Sequence, residues 1–333
     1  MLDRIRAFTY SRQRLGRSAP DAATALRDVL AVYSSHPSAP LALHARSAHM
    51  DAADFRAVCA EALRVPAMRG SIHLMPADAG ARAFRALSES AAARARRLRG
   101  FGITEERYAE LRALLLDAAI EPRTQKELAL ALGLPADEVK GATATMTREG
   151  SMVRVGADGL RSNALRYVAR VIGEEERDAA LAWLAGEYLR TLGSARREDV
   201  AWWLGVPRGR ADAALAQHAT VDVGEGLLLR AEDEPAFDVA PAPAGVDLLG
   251  KWDPLTMGHA PDGRARCGME EECYDFRGDG LPVVLADGVA VGTWALAAKG
   301  KRLEFAFESF ETPGSRLRAA IERRADEVAT LLA

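Results

Sequence analysis

The chain has 333 residues, enough for two or three domains, and an apolar fraction of 49%, ordinary for a protein with a sizeable core. No window reaches the ~18 uninterrupted apolar residues of a membrane span, and the N-terminus lacks a secretory-type apolar stretch, so a cytoplasmic protein is expected. The net charge is −3, which argues against simple nucleic-acid binding, yet residues 1–100 hold 16 Arg, no Lys and 8 acids while residues 101–333 hold 28 basic and 39 acidic residues.

Arginine without lysine suits phosphate recognition, because the guanidinium fork presents two parallel donors. The densest run is "RARRLR", Arg94 to Arg99. The other reading of that run is a solvated helix face.

An internal repeat organises the middle of the chain. "LALGLPADEV" (Leu130–Val139) is echoed by "WWLGVPRGRA" (Trp202–Ala211). In both, a short helix ends at Leu-Gly-aliphatic-Pro, where Gly supplies the left-handed turn and Pro starts the next segment. Thr124 and Glu127 have capping-box spacing before the first copy, and the second copy opens at Ser194. A second helix and a β pair follow each copy. Longer amphipathic helices precede them, striped by Tyr108, Leu111, Leu115 and Ala118 and by Leu181, Leu184, Tyr188 and Leu192. This is the winged helix-turn-helix order, which serves DNA readers and protein-contact modules alike. Lys140, Thr143, Thr147 and Arg148 make the second helix of the first copy moderately polar.

"PAFDVAPAPAG" (Pro235–Gly245) reads as a linker. Beyond it, "LPVVLADGVAVGTWALAAKGKRLEFAFESFE" reads as three strands with turns at Asp287-Gly288 and Gly300, and a last helix closes the chain. Cys59, Cys267 and Cys273 show neither disulfide nor zinc spacing, so three free thiols and no metal are expected. No Gly-rich nucleotide loop or nucleophile elbow is present.

Three segments carry a resemblance. "MRGSIHLMPADA" (Met68–Ala79), "YLRTLGSARREDVAWWLGV" (Tyr188–Val206) and "LLGKWDPLTMGH" with the strands after it resemble the AlkZ/YcaQ-like family of winged-helix DNA glycosylases. The resemblance covers about residues 20–310. It implies a fold that is mainly α with β wings. Three tandem winged-helix units would span 1–100, 101–172 and 173–240, and a small C-terminal β-barrel or sheet with a covering helix 245–333. It implies a monomer on double-stranded DNA, associated with the nucleoid, that hydrolyses the N-glycosidic bond of alkylated or crosslinked purines in DNA repair without a cofactor.

The family's Gln-x-Gln or Gln-x-Asp motif should fall in "VLAVYSSHPSAPLALHAR" (Val29–Arg46), where Tyr33 and Ser35 take the Gln positions and His36 follows. Neither Gln nor Asp is present. Tyr33, Ser35 and His36 are then the candidate catalytic residues, with His36 a base and the hydroxyls holding water. An ordinary turn and helix cap is the other reading of Ser-Ser-His-Pro, and a non-catalytic DNA-binding regulator or lesion binder is the other reading of the chain. Candidate DNA contacts are Arg46, Arg69, His73, Arg94, Arg96, Arg97, Lys140 and Arg148. His73 suits a buried core position equally well. Asp253 suits a turn or ion pair, and Trp202, Trp203 and Trp294 suit the core.

Overall fold

The computed structural model describes residues 1–34, 38–156, 159–161, 165–173, 175–299 and 302–333. Helix α1 (Leu2–Arg12) opens the chain. Helix α2 (Ala22–Val29) starts where the Asp21 carboxylate accepts from the Thr24 N–H at 2.6 Å, satisfying one orphan donor of its first turn. Strand β1 (Val32–Tyr33) leads into α3 (Ser38–His44) and α4 (Ala52–Glu61), the latter begun by a reciprocal Asp51–Asp54 cap. Strands β2 (Leu63–Pro66) and β3 (Ile72–Met75) then pair antiparallel around a tight Met68–Gly70 turn. Strand β1 adds to the free edge of β3, which sets Val32 opposite Leu74 and Tyr33 opposite His73. Helices α5 (Ala77–Ala86) and α6 (Ala91–Gly100) follow.

The first copy of the repeat folds as its residues require. Tyr108, Leu111 and Leu115 of α7 (Glu105–Ala118) are buried. Thr124 and Glu127 form the expected box at the start of α8 (Gln125–Leu132), and Gly133 ends that helix at φ 62°. Helix α9 (Ala136–Glu149) leads to β4 (Met152–Val155) and β5 (Arg166–Ala169). Strand β4 also bonds to β2, giving one five-stranded sheet in the order β1-β3-β2-β4-β5. The sheet crosses the boundary near residue 100 at which the sequence was divided.

The second copy comprises α10 (Arg177–Leu192), α11 (Arg197–Leu204), α12 (Arg208–Leu215) and the pair β6 (Thr220–Asp222) and β7 (Leu228–Arg230). The helix begins at Arg197 rather than Ser194, because the Asp199 carboxylate accepts from the Arg196 N–H and fixes the first turn there. Helix α1 packs here and not on its sequence neighbours: Ile5 and Phe8 share an apolar cluster with Leu227, Leu229 and Phe237.

Part of the expected linker is helix α13 (Glu234–Asp238), whose Phe237 is buried edge-on against Phe8 at 5.5 Å. Burying one such side chain is worth about 1.5–3 kcal/mol, which is why the segment is held down. The C-terminal sheet has four strands rather than three. Strand β8 (Val246–Leu249) precedes β9 (Val283–Ala286), β10 (Val289–Lys299) and β11 (Arg302–Ser309), in the linear order β11-β10-β9-β8. Helix α14 (Ser315–Leu332) covers it, packing Ile321, Ala325 and Val328 against Leu248, Val284 and Trp294. The fold is thus mixed, with long helical stretches and antiparallel sheets. No described helix is long and apolar enough to cross a membrane.

Part of the charge asymmetry of the sequence is met by ion pairs within the molecule, some buried and some at its surface. Arg4 pairs with Asp238, Arg12 with Asp233, Arg17 with Glu327, Arg46 with Asp253, Arg82 with Glu175 and Arg94 with Glu105. Six N-terminal arginines therefore meet acids of the later, acidic part of the chain. The surplus holds the two parts together before it offers anything to an outside anion.

Candidate nucleic-acid interface

Tyr33 is the centre of an aromatic and cationic cluster. Because β1 and β3 set it opposite His73, the two rings lie 4.5 Å apart. Trp252 covers the cluster at 5.9 Å from Tyr33, and the Lys251 ammonium lies 4.7 Å from the centre of the Trp252 ring. The Tyr33 hydroxyl accepts a hydrogen bond from Arg69 Nη2 at 2.9 Å, which leaves the phenolic proton free to donate elsewhere.

Arg69 sits in the β2–β3 turn at φ 53°, a conformation rare for a residue with a side chain. Its guanidinium stacks on Trp202 at 3.8 Å, and a cation on an indole face is favourable by roughly 0.5–2 kcal/mol. Gly205, at φ 70°, ends α11 directly beneath; a Cβ there would lie 3.0 Å from Arg69 Cα. The glycine therefore serves both the helix end and the close approach of this turn. Arg264 reaches the same Trp202 at 5.6 Å and stacks on Tyr274 at 3.7 Å. Aromatic rings and arginines thus alternate from Tyr33 through Arg69, Trp202 and Arg264 to Tyr274.

The turn bearing Lys251 and Trp252 is anchored from below. Asp253 is fully buried and receives Arg46 through two hydrogen bonds of 2.8 and 2.7 Å. Arg46 also donates to Ala42 O and to Gln13 Oε1, and Gln13 donates to Thr191 O. One buried network therefore ties the α1 region, α3, α10 and the C-terminal part together behind the cluster.

This corrects two sequence expectations. Arg46 has no exposed surface and both its terminal nitrogens are engaged, so it is a structural ion-pair partner and not a phosphate contact. His73 is also buried; its Nδ1 donates to Ser71 O at 3.1 Å, and desolvation takes its pKa down to about 3. A neutral imidazole behind Tyr33 supports that ring and offers no charge to DNA. Asp253 takes the ion-pair role expected of it, while Trp202 is half-buried between two arginines and is not a core residue. Trp203 and Trp294 are buried in the core.

The remaining expected residues spread over one side of this cluster and beyond it. Arg148 donates to Gly70 O at 3.3 Å beside the Arg69 turn and shares Glu89 with Arg97. Burial holds the Arg148 guanidinium below its usual range. Arg94 pairs with Glu105, while Arg96 and Lys140 are exposed. Ser35 and His36 lie outside the described residues. Sequence reasoning missed Lys251, Trp252, Arg264 and Tyr274. The available signal was in "KWDP", where an aromatic directly precedes an aspartate that must be anchored.

A second constellation resembles a catalytic triad but is sealed. Cys267 Sγ lies 3.2 Å from His259 Nε2, and His259 Nδ1 lies 4.0 Å from Asp199. All three are buried, and Asp199 is already committed to Arg266. Burial pushes the thiol up to about 12 and the imidazole down to about 4, the opposite of an activated nucleophile. Among the described residues no group of three or more His, Cys, Asp or Glu is placed to hold a metal.

The chain covers 99% of its own length and 96% of the other when superposed on the DNA glycosylase AlkZ of Streptomyces sahachiroi, with a TM-score of 0.74 at 20% sequence identity. At that identity the likeness speaks for the fold alone. No curated protein matches the sequence significantly. The model of the family described as DNA glycosylase AlkZ-like matches residues 26–331. The match takes in almost the whole chain, including Tyr33, the Arg69 turn and the anchored Trp252 turn, and the protein therefore belongs to the AlkZ-like DNA glycosylase family.

Proposed function

We propose that this glycosylase acts on duplex DNA at purines made cationic by N-alkylation, with the nucleotide presented at Tyr33. We read the fold as three winged-helix units, α2–α4 with β2–β3, α7–α9 with β4–β5 and α10–α12 with β6–β7, followed by the C-terminal sheet. The observation that carries the substrate class is the company Tyr33 keeps. Among the described residues, Arg69, His73 and Trp252 surround it, and none of these is a carboxylate. A cationic sugar-like transition state receives no opposing charge from these groups. The chemistry then rests on a leaving group that departs without protonation, as an alkylated purine cation does. Aromatic faces and arginines suit the grip on such a nucleotide and its phosphates.

The direct test is a duplex carrying N7-methylguanine, scored for free base and abasic sites. Release of N7-methylguanine without release of unmodified guanine is the expected result; no base release from this duplex at any enzyme concentration overturns the reading. Arg69→Ala removes a charged hydrogen-bond donor from Tyr33, and excision should fall roughly 10- to 100-fold. An unchanged rate would remove Arg69 from the site.

His36 is the residue nearest Tyr33 in sequence whose ordinary pKa lies near neutrality. We assign it the water-activating role. His36→Ala should abolish excision while duplex affinity stays within twofold. Full excision by His36→Ala would leave Tyr33 and Ser35 to hold the water alone.

A further inference from the structure

The loop that follows Tyr274 ends in an unusual exposure. Phe276 is 91% exposed, far more than any other aromatic side chain is left by this fold. The loop is nevertheless tightly held. The Asp275 carboxylate accepts from Arg277 N–H at 2.9 Å and Asp279 N–H at 3.0 Å, and Gly278 N–H donates to Asp275 O at 2.8 Å. Such a turn fixes the direction of the Phe276 side chain's base without giving the ring a partner in the core.

The loop is also docked on the candidate site. Trp252 N–H donates to Gly280 O at 3.0 Å, which ties the end of the Phe276 loop to the Trp252 turn, and Trp252 lies against Tyr33. Arg264 fastens the other side, donating to Gly278 O at 3.0 Å while stacked on Tyr274. Cations flank the exposed ring: the Arg277 guanidinium lies 5.0 Å from its centre. Lys251, over the Trp252 ring, acts on the neighbouring Asp275 carboxylate. Against the pull of desolvation, the two backbone donors and the charges of Lys251 and Arg277 hold the Asp275 carboxyl below its usual range. The exposed acids Glu270 and Glu271 bound the loop on the side of the cleft between Pro261 and Gly278, which leaves the Lys251–Arg277 side for phosphate.

We infer that Phe276 is an apolar wedge that enters the base stack of the duplex beside the nucleotide presented at Tyr33, with Arg277 and Lys251 holding the flanking phosphates. The inference rests on the duplex-DNA reading above and adds to it a residue that touches the bases. A hydrogen-bonded loop, an exposed aromatic ring and adjacent cations are what unstacking requires: the ring replaces the lost stacking, and the cations meet the flanking phosphates. The ring's position outside the core makes its replacement harmless to folding.

The test uses a duplex with 2-aminopurine next to a tetrahydrofuran abasic-site analogue, a probe that no excision step can alter. Binding of the full chain should raise 2-aminopurine fluorescence as the base unstacks. Phe276→Ala should abolish that rise and weaken binding roughly 5- to 150-fold. Phe276→Trp should restore both, with its own emission quenched by the bases. A full fluorescence rise with Phe276→Ala, or none with the unaltered protein bound, overturns the wedge. Because the readout is binding and unstacking, failure of excision on N7-methylguanine would sink the glycosylase reading separately.

Discussion

Replacing Arg46 by alanine will cost roughly 3–5 kcal/mol of folding stability, because it leaves Asp253 charged and unpaired in a dry interior. A protein of this kind has only about 5–15 kcal/mol in total, so the variant should unfold at a markedly lower urea concentration. The cost is that of stranding one partner, not the net value of the pair. Arg46→Met combined with Asp253→Leu removes both charges and should recover much of the loss. If Arg46→Ala shifts the urea midpoint by an amount worth under 1 kcal/mol, the buried network is not the anchor described above. If Arg46→Ala folds normally but loses DNA affinity in a salt-dependent manner, Arg46 meets phosphate after all.

The second large effect is acid lability. His44, His73 and His259 are buried and neutral, with pKa values lowered by desolvation to about 4, about 3 and about 4. The unfolded chain takes up protons at these residues below their ordinary pKa of about 6.5, whereas the folded chain does not. Their contribution is therefore intact above that value and is lost as pH falls from about 6.5 toward about 4, at about 4 kcal/mol per pH unit for the three together. Asp247, whose carboxyl is pushed up by burial, works in the opposite sense and softens the low end of this window. Urea midpoints measured between pH 7 and pH 5 should drop steeply, and His44→Gln should flatten the slope by about a third of its value. A midpoint constant over that range would mean these imidazoles charge freely in the folded state.

The two predictions share a cause that bears on function. The side chains behind Tyr33 and Trp252 are fixed by buried polar pairs rather than by apolar packing alone. Such pairs add little net stability, but they hold a surface turn in one place. The Lys251–Trp252 turn is such a case: Asp253 fixes one end through Arg46, and the Gly280 carbonyl fixes Trp252 itself.

Much of the local structure was legible in the residues themselves. The Thr124–Glu127 cap, the Leu-Gly-x-Pro joints and the stripes of α7 and α10 follow from 3.6-residue periodicity and backbone chemistry, which act over a few positions. The family was legible too, from the segments at Met68–Ala79, Tyr188–Val206 and around Asp253. The fourth C-terminal strand was not, because Val246–Leu249 is a short apolar run whose partner, Val283–Ala286, lies over thirty residues on. The fate of the arginines was decided only by the tertiary structure. A guanidinium meets a phosphate or a carboxylate with the same fork, and nothing local distinguishes them. Arg46 finds Asp253 207 positions away, and Arg69 finds Trp202 through a turn that only the packed sheet brings to α11. Composition thus set how many cations this protein carries, while long-range packing chose which of them meet carboxylates and left the ring of Phe276 exposed.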